Sequence, residues 1–148
     1  MNWQKITSRG LKREHYTADA LIVYCVDNRG KDAFDGFLAK KKFKNYDLIM
    51  IPGGAKSIAD PRKGAEWQTV TVYIKKLVEL HKAKIIVLTT HIDCGACGGS
   101  AAFDNNTEAE LKVHGQWLKI AQESLSKQFP DIPIEIYFID FDGFWQIP

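Results

Sequence analysis

Two short segments of the sequence carry the side chains that could do chemistry. The first holds Cys25, Asp27 and Arg29, and the second holds His91 and Cys94. Two thiolates and one imidazole form a typical ligand set for Zn²⁺, and a site with three protein ligands keeps a fourth position open. The sequence therefore predicts a zinc site built from Cys25, His91 and Cys94, with Asp27 and Arg29 beside it.

Asp27 and Arg29 are the polar groups best placed to act next to such a metal. Two thiolates cancel the formal charge of Zn²⁺, so the ion should acidify its bound water less than it would with three neutral imidazoles. A hydrogen-bond acceptor for the proton of that water would help, and Asp27 is the candidate acceptor. Arg29 could hold that carboxylate in a bidentate pair and keep it ionised. If Arg29 released it, Asp27 could bind the metal instead and close the site.

The neighbouring cysteine and histidine residues leave other interpretations open. Cys94 and Cys97 form a Cys-x-x-Cys pair, which occurs in redox proteins as well as in zinc sites. A redox pair leaves Cys25 and His91 without a role, so we interpret Cys97 as a packing residue rather than a fourth ligand. His114 lies on an apolar helix face as a core histidine, although it could transfer protons if it faces the site.

The pattern of apolar residues predicts the elements that position these side chains. Near-continuous apolar runs suit strands that are buried on both faces of a parallel sheet. Such runs predict four strands, at residues 20–26, 47–51, 84–90 and 134–140. Helical spacing of apolar residues predicts three helices, at residues 31–42, 66–81 and 107–128. Thr107-Glu108-Ala109-Glu110 is interpreted as a capping box at the start of the third helix.

Strands that alternate with helices are typical of βαβ units. We therefore predict a single α/β domain over residues 1–148, with a mainly parallel central sheet of about four strands flanked by helices. Residues 1–19 form an N-terminal arm, with Trp3 and Ile6 as candidate anchors. The aromatic tail at 141–148 is expected to pack on the core or on a partner. Sites in open α/β sheets form at the carboxyl ends of the strands, where Cys25 and His91 stand.

Composition narrows the classes of partner and compartment. The chain has 148 residues, and its net charge of +2 is too small to indicate nucleic acid or an anionic membrane as a partner. No segment has the length of a membrane span, and the polar start lacks the apolar core of a signal peptide. We therefore expect a cytoplasmic protein, and in that reducing compartment three cysteines, an odd count, favour metal binding or reactive thiols over disulfides.

The two segments together resemble the signature motifs of the β-class carbonic anhydrases. The matching residues are Cys25-x-Asp27-x-Arg29 and His91-x-x-Cys94-Gly95, and the resemblance covers residues 20–102 most closely. It implies a β-carbonic-anhydrase-like fold, Zn²⁺ on Cys25, His91 and Cys94, and a catalytic dyad of Asp27 and Arg29. It further implies a lyase with carbonate dehydratase activity, in which zinc-bound hydroxide converts carbon dioxide reversibly to bicarbonate. Such enzymes are usually homodimers or higher homo-oligomers.

The chain departs from the family pattern around the expected substrate pocket. His15 and Tyr16 stand where the family tends to have Gln, and Gly30 stands where an apolar residue is usual. Ile51-Pro52-Gly53-Gly54-Ala55 takes the place of Arg-Asn-Ala-Gly. Related family members hydrolyse carbonyl sulfide or carbon disulfide through similar metal sites, which is one alternative. A non-catalytic zinc-binding module is the alternative from a different class.

Overall fold

The computed structural model describes residues 2–148, which form one α/β domain built around one sheet. The strands are β1 (Ala20–Tyr24), β2 (Tyr46–Met50), β3 (Ile86–His91), β4 (Ile134–Ile139) and β5 (Phe144–Gln146). The longer helices are α1 (Lys31–Lys41), α2 (Ala65–His81) and α3 (Thr107–Ser126). The strand order is β2-β1-β3-β4-β5, and all neighbouring strands are parallel except β4 and β5. The predicted mainly parallel α/β architecture is confirmed.

The fifth strand corrects the prediction of about four strands. Phe144–Gln146 pairs with β4 in the antiparallel direction, so the aromatic tail extends the sheet. A tight turn joins the two strands: the Asp140 carboxylate accepts hydrogen bonds from the backbone N–H groups of Asp142 and Gly143, and Gly143 has a φ of 142°. Three residues are too few to show an alternating pattern, which is why the sequence did not indicate this strand.

Both faces of the sheet are covered, which explains the continuous apolar runs. One face of β1, β3 and β4 packs against α2 and α3, and its fully buried members include Leu21, Leu88 and Ile136. The opposite face packs against α1 in a second cluster; its sheet residues are Ala20, Ile22, Tyr24, Val87, Tyr137 and Ile139, and its helix residues are Phe34, Phe37 and Leu38. The strands are therefore held rigidly from both sides.

The N-terminal segment lies outside the sheet. Residues 2–19 contain no helix or strand. The side chains of Trp3 and Ile6 are 84% and 85% exposed, so they do not anchor the segment to its own domain, and contact with a second copy stays a prediction. The segment is held only near its end, where the Tyr16 hydroxyl donates to the Asp47 carboxylate and the Ala18 N–H donates to the His81 carbonyl. Among residues 2–148, no helix is both long and apolar enough to cross a membrane.

The start of α3 differs from the predicted capping box. Asn106 is the N-cap, and its side-chain oxygen accepts a hydrogen bond from the Ala109 N–H at 3.0 Å. Glu110 does not reach back to the start of the helix but points into the protein, where it is 0% exposed. Leu111 is 41% exposed, whereas His114, predicted as a core histidine, is buried together with Leu118, Ala121 and Leu125.

Candidate metal centre

The sheet topology brings the segment that holds Cys25 close to the segment that holds His91 and Cys94. The chain leaves β1 toward β2 on one side and leaves β3 toward β4 on the other, so the strand order switches between β1 and β3. Sites in open α/β sheets form outside the carboxyl ends of the strands at such a switch. Cys25 directly follows β1, His91 ends β3, and Cys94 lies in the loop that follows it.

Cys25, His91 and Cys94 form a compact cluster of metal-ligating atoms. One ligand atom from each residue lies within 4.8 Å of the other two. The Sγ atoms of Cys25 and Cys94 are 3.9 Å apart, close to the separation of about 3.8 Å that two thiolates have around one tetrahedral Zn²⁺. Both cysteines are buried free thiols. The donor set and its spacing therefore fit a zinc ion.

The histidine presents the correct nitrogen to this cluster. Its Nδ1 lies 2.8 Å from the carbonyl oxygen of Ile92. A carbonyl can only accept, so Nδ1 must carry the proton, and the lone pair of a neutral ring then lies on Nε2. Nε2 is buried and has no hydrogen-bond partner among the described residues. A buried nitrogen without a partner next to two sulfur atoms is what a metal ligand looks like before the metal binds.

The charges in the cluster also favour a cation. Burial disfavours a charged imidazole, but the sulfur atoms of Cys94 and Cys25 outweigh burial and raise the pKa of His91 to about 9. A hydrogen bond from Cys97 and the neighbouring His91 together lower the pKa of the Cys94 thiol against the effect of burial. A proton on His91 thus takes the place that a divalent ion would hold, and the ion must displace it.

Asp27 and Arg29 form a tight ion pair beside the cluster. The guanidinium Nε lies 3.1 and 3.0 Å from the two carboxylate oxygens, and Nη2 lies 2.7 Å from Oδ2. The backbone N–H of Arg29 also donates to Oδ1, because Asp27 caps the short turn Asn28–Gly30. These hydrogen bonds lower the pKa of Asp27 to about 2. The Oδ2 atom lies 4.0 Å from Nε2 of His91, so the carboxylate faces the cluster without belonging to it.

Arg29 also binds the loop that supplies Cys94. Its Nη1 donates to Oδ2 of Asp93 at 2.9 Å, and its Nη2 donates to the Asp93 carbonyl at 2.9 Å. Asp93 further accepts a hydrogen bond from the backbone N–H of Ser100. Asp93 therefore makes hydrogen bonds within its own loop and to Arg29. The guanidinium links the segment that holds Cys25 to the segment that holds Cys94, a role for Arg29 that the sequence did not indicate.

Glu110 is the residue that sequence reasoning missed. Its two carboxylate oxygens accept hydrogen bonds from the Asp93 N–H and the Ser100 hydroxyl, both at 2.7 Å. One helical turn before His114, either Glu110 or Leu111 could lie on the inner face of α3, and hydrophobicity alone favours Leu111. The only signal in the sequence was a carboxylate one helical turn before His114.

The remaining cysteine and histidine residues lie outside the ligand cluster. Cys97 is buried against Cys25, Cys94 and Trp117. Burial lowers the pKa of His114 to about 4, and neither ring nitrogen of this fully buried residue finds a hydrogen-bond partner within residues 2–148. Because His114 has no exposed surface, it cannot exchange protons with solvent directly. Nδ1 of His81 binds the Asp47 carboxylate near the start of β2, at the opposite end of the strands.

A small cavity adjoins the cluster on the side of Asp27. Its volume is about 230 Å³. Asp27, Arg29 and His91 line one side, and the turn between β4 and β5 closes another, with residues 139–143 in its wall. Tyr24, Ala33 and Ile92 add apolar surface to the lining. His91 is the member of the candidate cluster that lines this pocket, whose volume suits a small molecule.

Solved structures similar to this chain include several carbonic anhydrases. A β-carbonic anhydrase from Trichomonas vaginalis superposes with a TM-score of 0.61 at 14% identity, covering 93% of this chain and 87% of that one. A carbonic anhydrase from Streptococcus mutans gives a TM-score of 0.58 at 18% identity, covering 94% and 88%. One of two tetrameric β-carbonic anhydrases from Sordaria macrospora gives 0.52 at 15% identity, covering 90% and 82%. These likenesses establish the fold.

Relatives in sequence extend over almost the whole chain. Uncharacterized proteins from Rickettsia conorii and Rickettsia bellii are 26% and 24% identical over 147 residues, which is 95% of this chain and 79% and 90% of theirs. A family model described as "Putative carbonic anhydrase" matches residues 16–147. The match includes the cluster of Cys25, His91 and Cys94 and every strand of the sheet. The chain therefore belongs to this carbonic anhydrase family.

Proposed function

We propose that this protein is a zinc-dependent lyase that hydrates carbon dioxide reversibly to bicarbonate. The observation that carries the proposal is the convergence of Cys25, His91 and Cys94 beside an ionised Asp27, at the switch point of the sheet. The family and the fold support the general class. In the proposal, Cys25, His91 and Cys94 are the metal ligands, and Asp27 and Arg29 are the catalytic pair.

The ligands would hold Zn²⁺ in a nearly neutral complex. The two thiolates balance the charge of the ion, and His91 contributes a neutral nitrogen whose orientation is set by the Ile92 carbonyl. A bound Zn²⁺ supplies a Lewis acid that acidifies water and so makes a nucleophile available near neutral pH. Three protein ligands are the number typical of catalytic zinc sites.

Asp27 would orient water in the pocket. With a pKa of about 2, its carboxylate is ionised throughout the neutral range and can only accept hydrogen bonds. Oδ2, the oxygen nearer to His91, is the acceptor that faces the cluster. Arg29 holds both carboxylate oxygens and so keeps Asp27 from becoming a ligand itself. The apolar walls at Tyr24 and Ala33 suit a linear, uncharged substrate such as carbon dioxide.

Stopped-flow measurement of carbon dioxide hydration tests the proposal. Zinc-loaded protein is compared with a Cys94→Ala variant, which loses one of the three ligands. We expect hydration by the wild-type protein and loss of both zinc and activity in the variant. A wild-type rate no greater than that of Cys94→Ala would exclude the enzyme. Assays of sulfide release from carbonyl sulfide and carbon disulfide, run on the same samples, would identify the hydrolase alternative.

A zinc site closed by four protein ligands is a second candidate. The distance of 4.0 Å between Oδ2 of Asp27 and Nε2 of His91 favours it, because a short movement would bring the carboxylate to the ion. Zinc absorption spectra distinguish the two, since a closed site has no oxygen ligand that exchanges with added anions. A site closed at every pH would identify a non-catalytic zinc module.

We also propose that the chain forms a homodimer or a higher homo-oligomer in the cytoplasm. The similar β-carbonic anhydrase from Sordaria macrospora is tetrameric. Residues 2–15, the exposed part of the N-terminal segment, make few contacts with their own domain and are available for a second copy. The three free thiols suit a reducing compartment. Sedimentation equilibrium of the full chain tests the assembly, and a monomer at all concentrations would contradict it.

A further inference from the structure

Glu110 lies where a carboxylate is costly to keep. The side chain is 0% exposed, and burial of an acidic group is unfavourable unless hydrogen bonds compensate for the lost water. The nearest basic side chain does not compensate, because Nε2 of His114 is 3.9 Å from Oε1, beyond hydrogen-bond distance. The compensation comes instead from the Asp93 N–H and the Ser100 hydroxyl.

Both of these donors belong to the loop that follows β3. Asp93 and Ser100 flank Cys94, so one helix side chain ties together the two ends of the segment that carries a ligand. Asp93 has a φ of 51°, in the left-handed region that non-glycine residues rarely adopt. A strained backbone of this kind persists only when neighbouring groups hold it. The hydrogen bond from the Asp93 N–H to Glu110 is one such constraint.

The same loop also connects Glu110 to the Asp27–Arg29 pair through hydrogen bonds. The Asp93 carboxylate accepts from Ser100 and from Arg29, and Arg29 in turn holds Asp27. A continuous hydrogen-bond network therefore runs from α3 through the loop to the carboxylate beside the cluster. Groups behind metal ligands commonly change metal affinity when they are removed, because they set the orientation of the ligands.

We propose that Glu110 is a positioning residue of the metal centre, which holds Cys94 and Arg29 in place through Asp93 and Ser100. This inference rests on the proposed function only in that the cluster binds a metal. Glu110 acts as a hydrogen-bond acceptor, so its geometry matters and its charge does not. Gln keeps an acceptor for the Asp93 N–H and an amide that can donate to Ser100, whereas Leu has a similar volume but no polar atom.

Cobalt binding by the full chain tests the proposal. Affinity for Co²⁺ is measured by competition with a chelator, and the thiolate-to-cobalt absorption bands report the ligand geometry. We expect Glu110→Leu to weaken binding by about 10- to 100-fold and to change the bands. Glu110→Gln is expected to stay within about 3-fold of wild type, because rescue by an acceptor marks a positioning role. Glu108→Leu, an exposed change on the same helix, is the matched control.

The possible results separate the claims. Wild-type affinity and bands in Glu110→Leu would overturn the positioning role, and equal losses in Glu110→Gln and Glu110→Leu would overturn its basis in hydrogen bonding. If wild type bound no Co²⁺, the proposed function would fail. The positioning role would then depend on whether Glu110→Leu speeds amide hydrogen exchange at Asp93 relative to Glu108→Leu. If Glu110→Leu did not fold, Ser100→Ala would replace it, and unchanged cobalt binding there would refute the network.

Discussion

Replacement of Asp27 by Asn should separate the catalytic role of this carboxylate from metal binding. The change removes the charge but preserves the size of the side chain. The lowering of the pKa of Asp27 from 3.8 to about 2 corresponds to an upper limit of about 2.4 kcal/mol at 1.36 kcal/mol per pH unit. The Arg29 side chain is 57% exposed and that of Asp27 is 24% exposed. Solvent screening therefore reduces the expected loss in the free energy of unfolding to about 1 kcal/mol.

The pH dependence of this loss provides a check on its sign. Because the pKa of Asp27 is lower in the folded protein, its stabilisation is complete above the unfolded value of about 4 and is lost as the pH falls toward about 2. Urea unfolding of metal-free wild type and Asp27→Asn should therefore differ at pH 7 and converge near pH 2. A difference of the same size at both pH values would refute the ion-pair explanation.

The chain offers a matched control for the effect on activity. Asp60 and Arg62 repeat the local arrangement of Asp27 and Arg29, since Asp60 Oδ1 accepts from the Arg62 backbone N–H at 3.0 Å and from its Nε at 3.1 Å. This second pair is not part of the candidate cluster of Cys25, His91 and Cys94. We expect Asp27→Asn to retain zinc and lose at least about 100-fold in carbon dioxide hydration, and Asp60→Asn to retain both. Full activity in Asp27→Asn would refute the proposed role.

Three further predictions concern the metal, the loop behind it and the helix start. Zinc affinity should rise with pH up to about 9, because the ion must displace the proton on His91. Calorimetry in two buffers of different ionisation enthalpy measures the proton release, and a zinc affinity that does not change with pH would contradict the prediction. Gly54→Ala should lower the free energy of unfolding by about 2 kcal/mol, because Gly54 has a φ of 57° and a methyl group there would collide with the Thr89 carbonyl; wild-type stability in urea would argue against this packing. Asn106→Ala should lower the free energy of unfolding by about 1 kcal/mol and Thr107→Ala by much less, because Asn106 caps α3. If thermal unfolding showed a larger loss for Thr107→Ala, the predicted capping box would be supported instead.

The sequence indicated the helices and the buried strands because each carries many residues with a consistent period. The predicted helix at 66–81 and the observed α2 (Ala65–His81) differ by one residue. The short strand β5 had no such repetition and depends on the turn at Asp140–Gly143 and on the free edge of β4. The exposed position of Trp3 is likewise decided by the absence of a facing surface in its own domain, which no local pattern reports.

Within the candidate site, the sequence by itself indicated the candidate ligands and their places at strand ends, because Cys25 lies near the end of one apolar run and His91 directly follows another. It also paired Asp27 with Arg29, since residues two apart in a turn interact locally. Only the tertiary structure placed Glu110 under the loop, because Glu110 and Leu111 fit the helical period equally well and the loop that selects between them comes from β3. The link from Arg29 to Asp93 arises in the same way, from a contact between residues 64 positions apart.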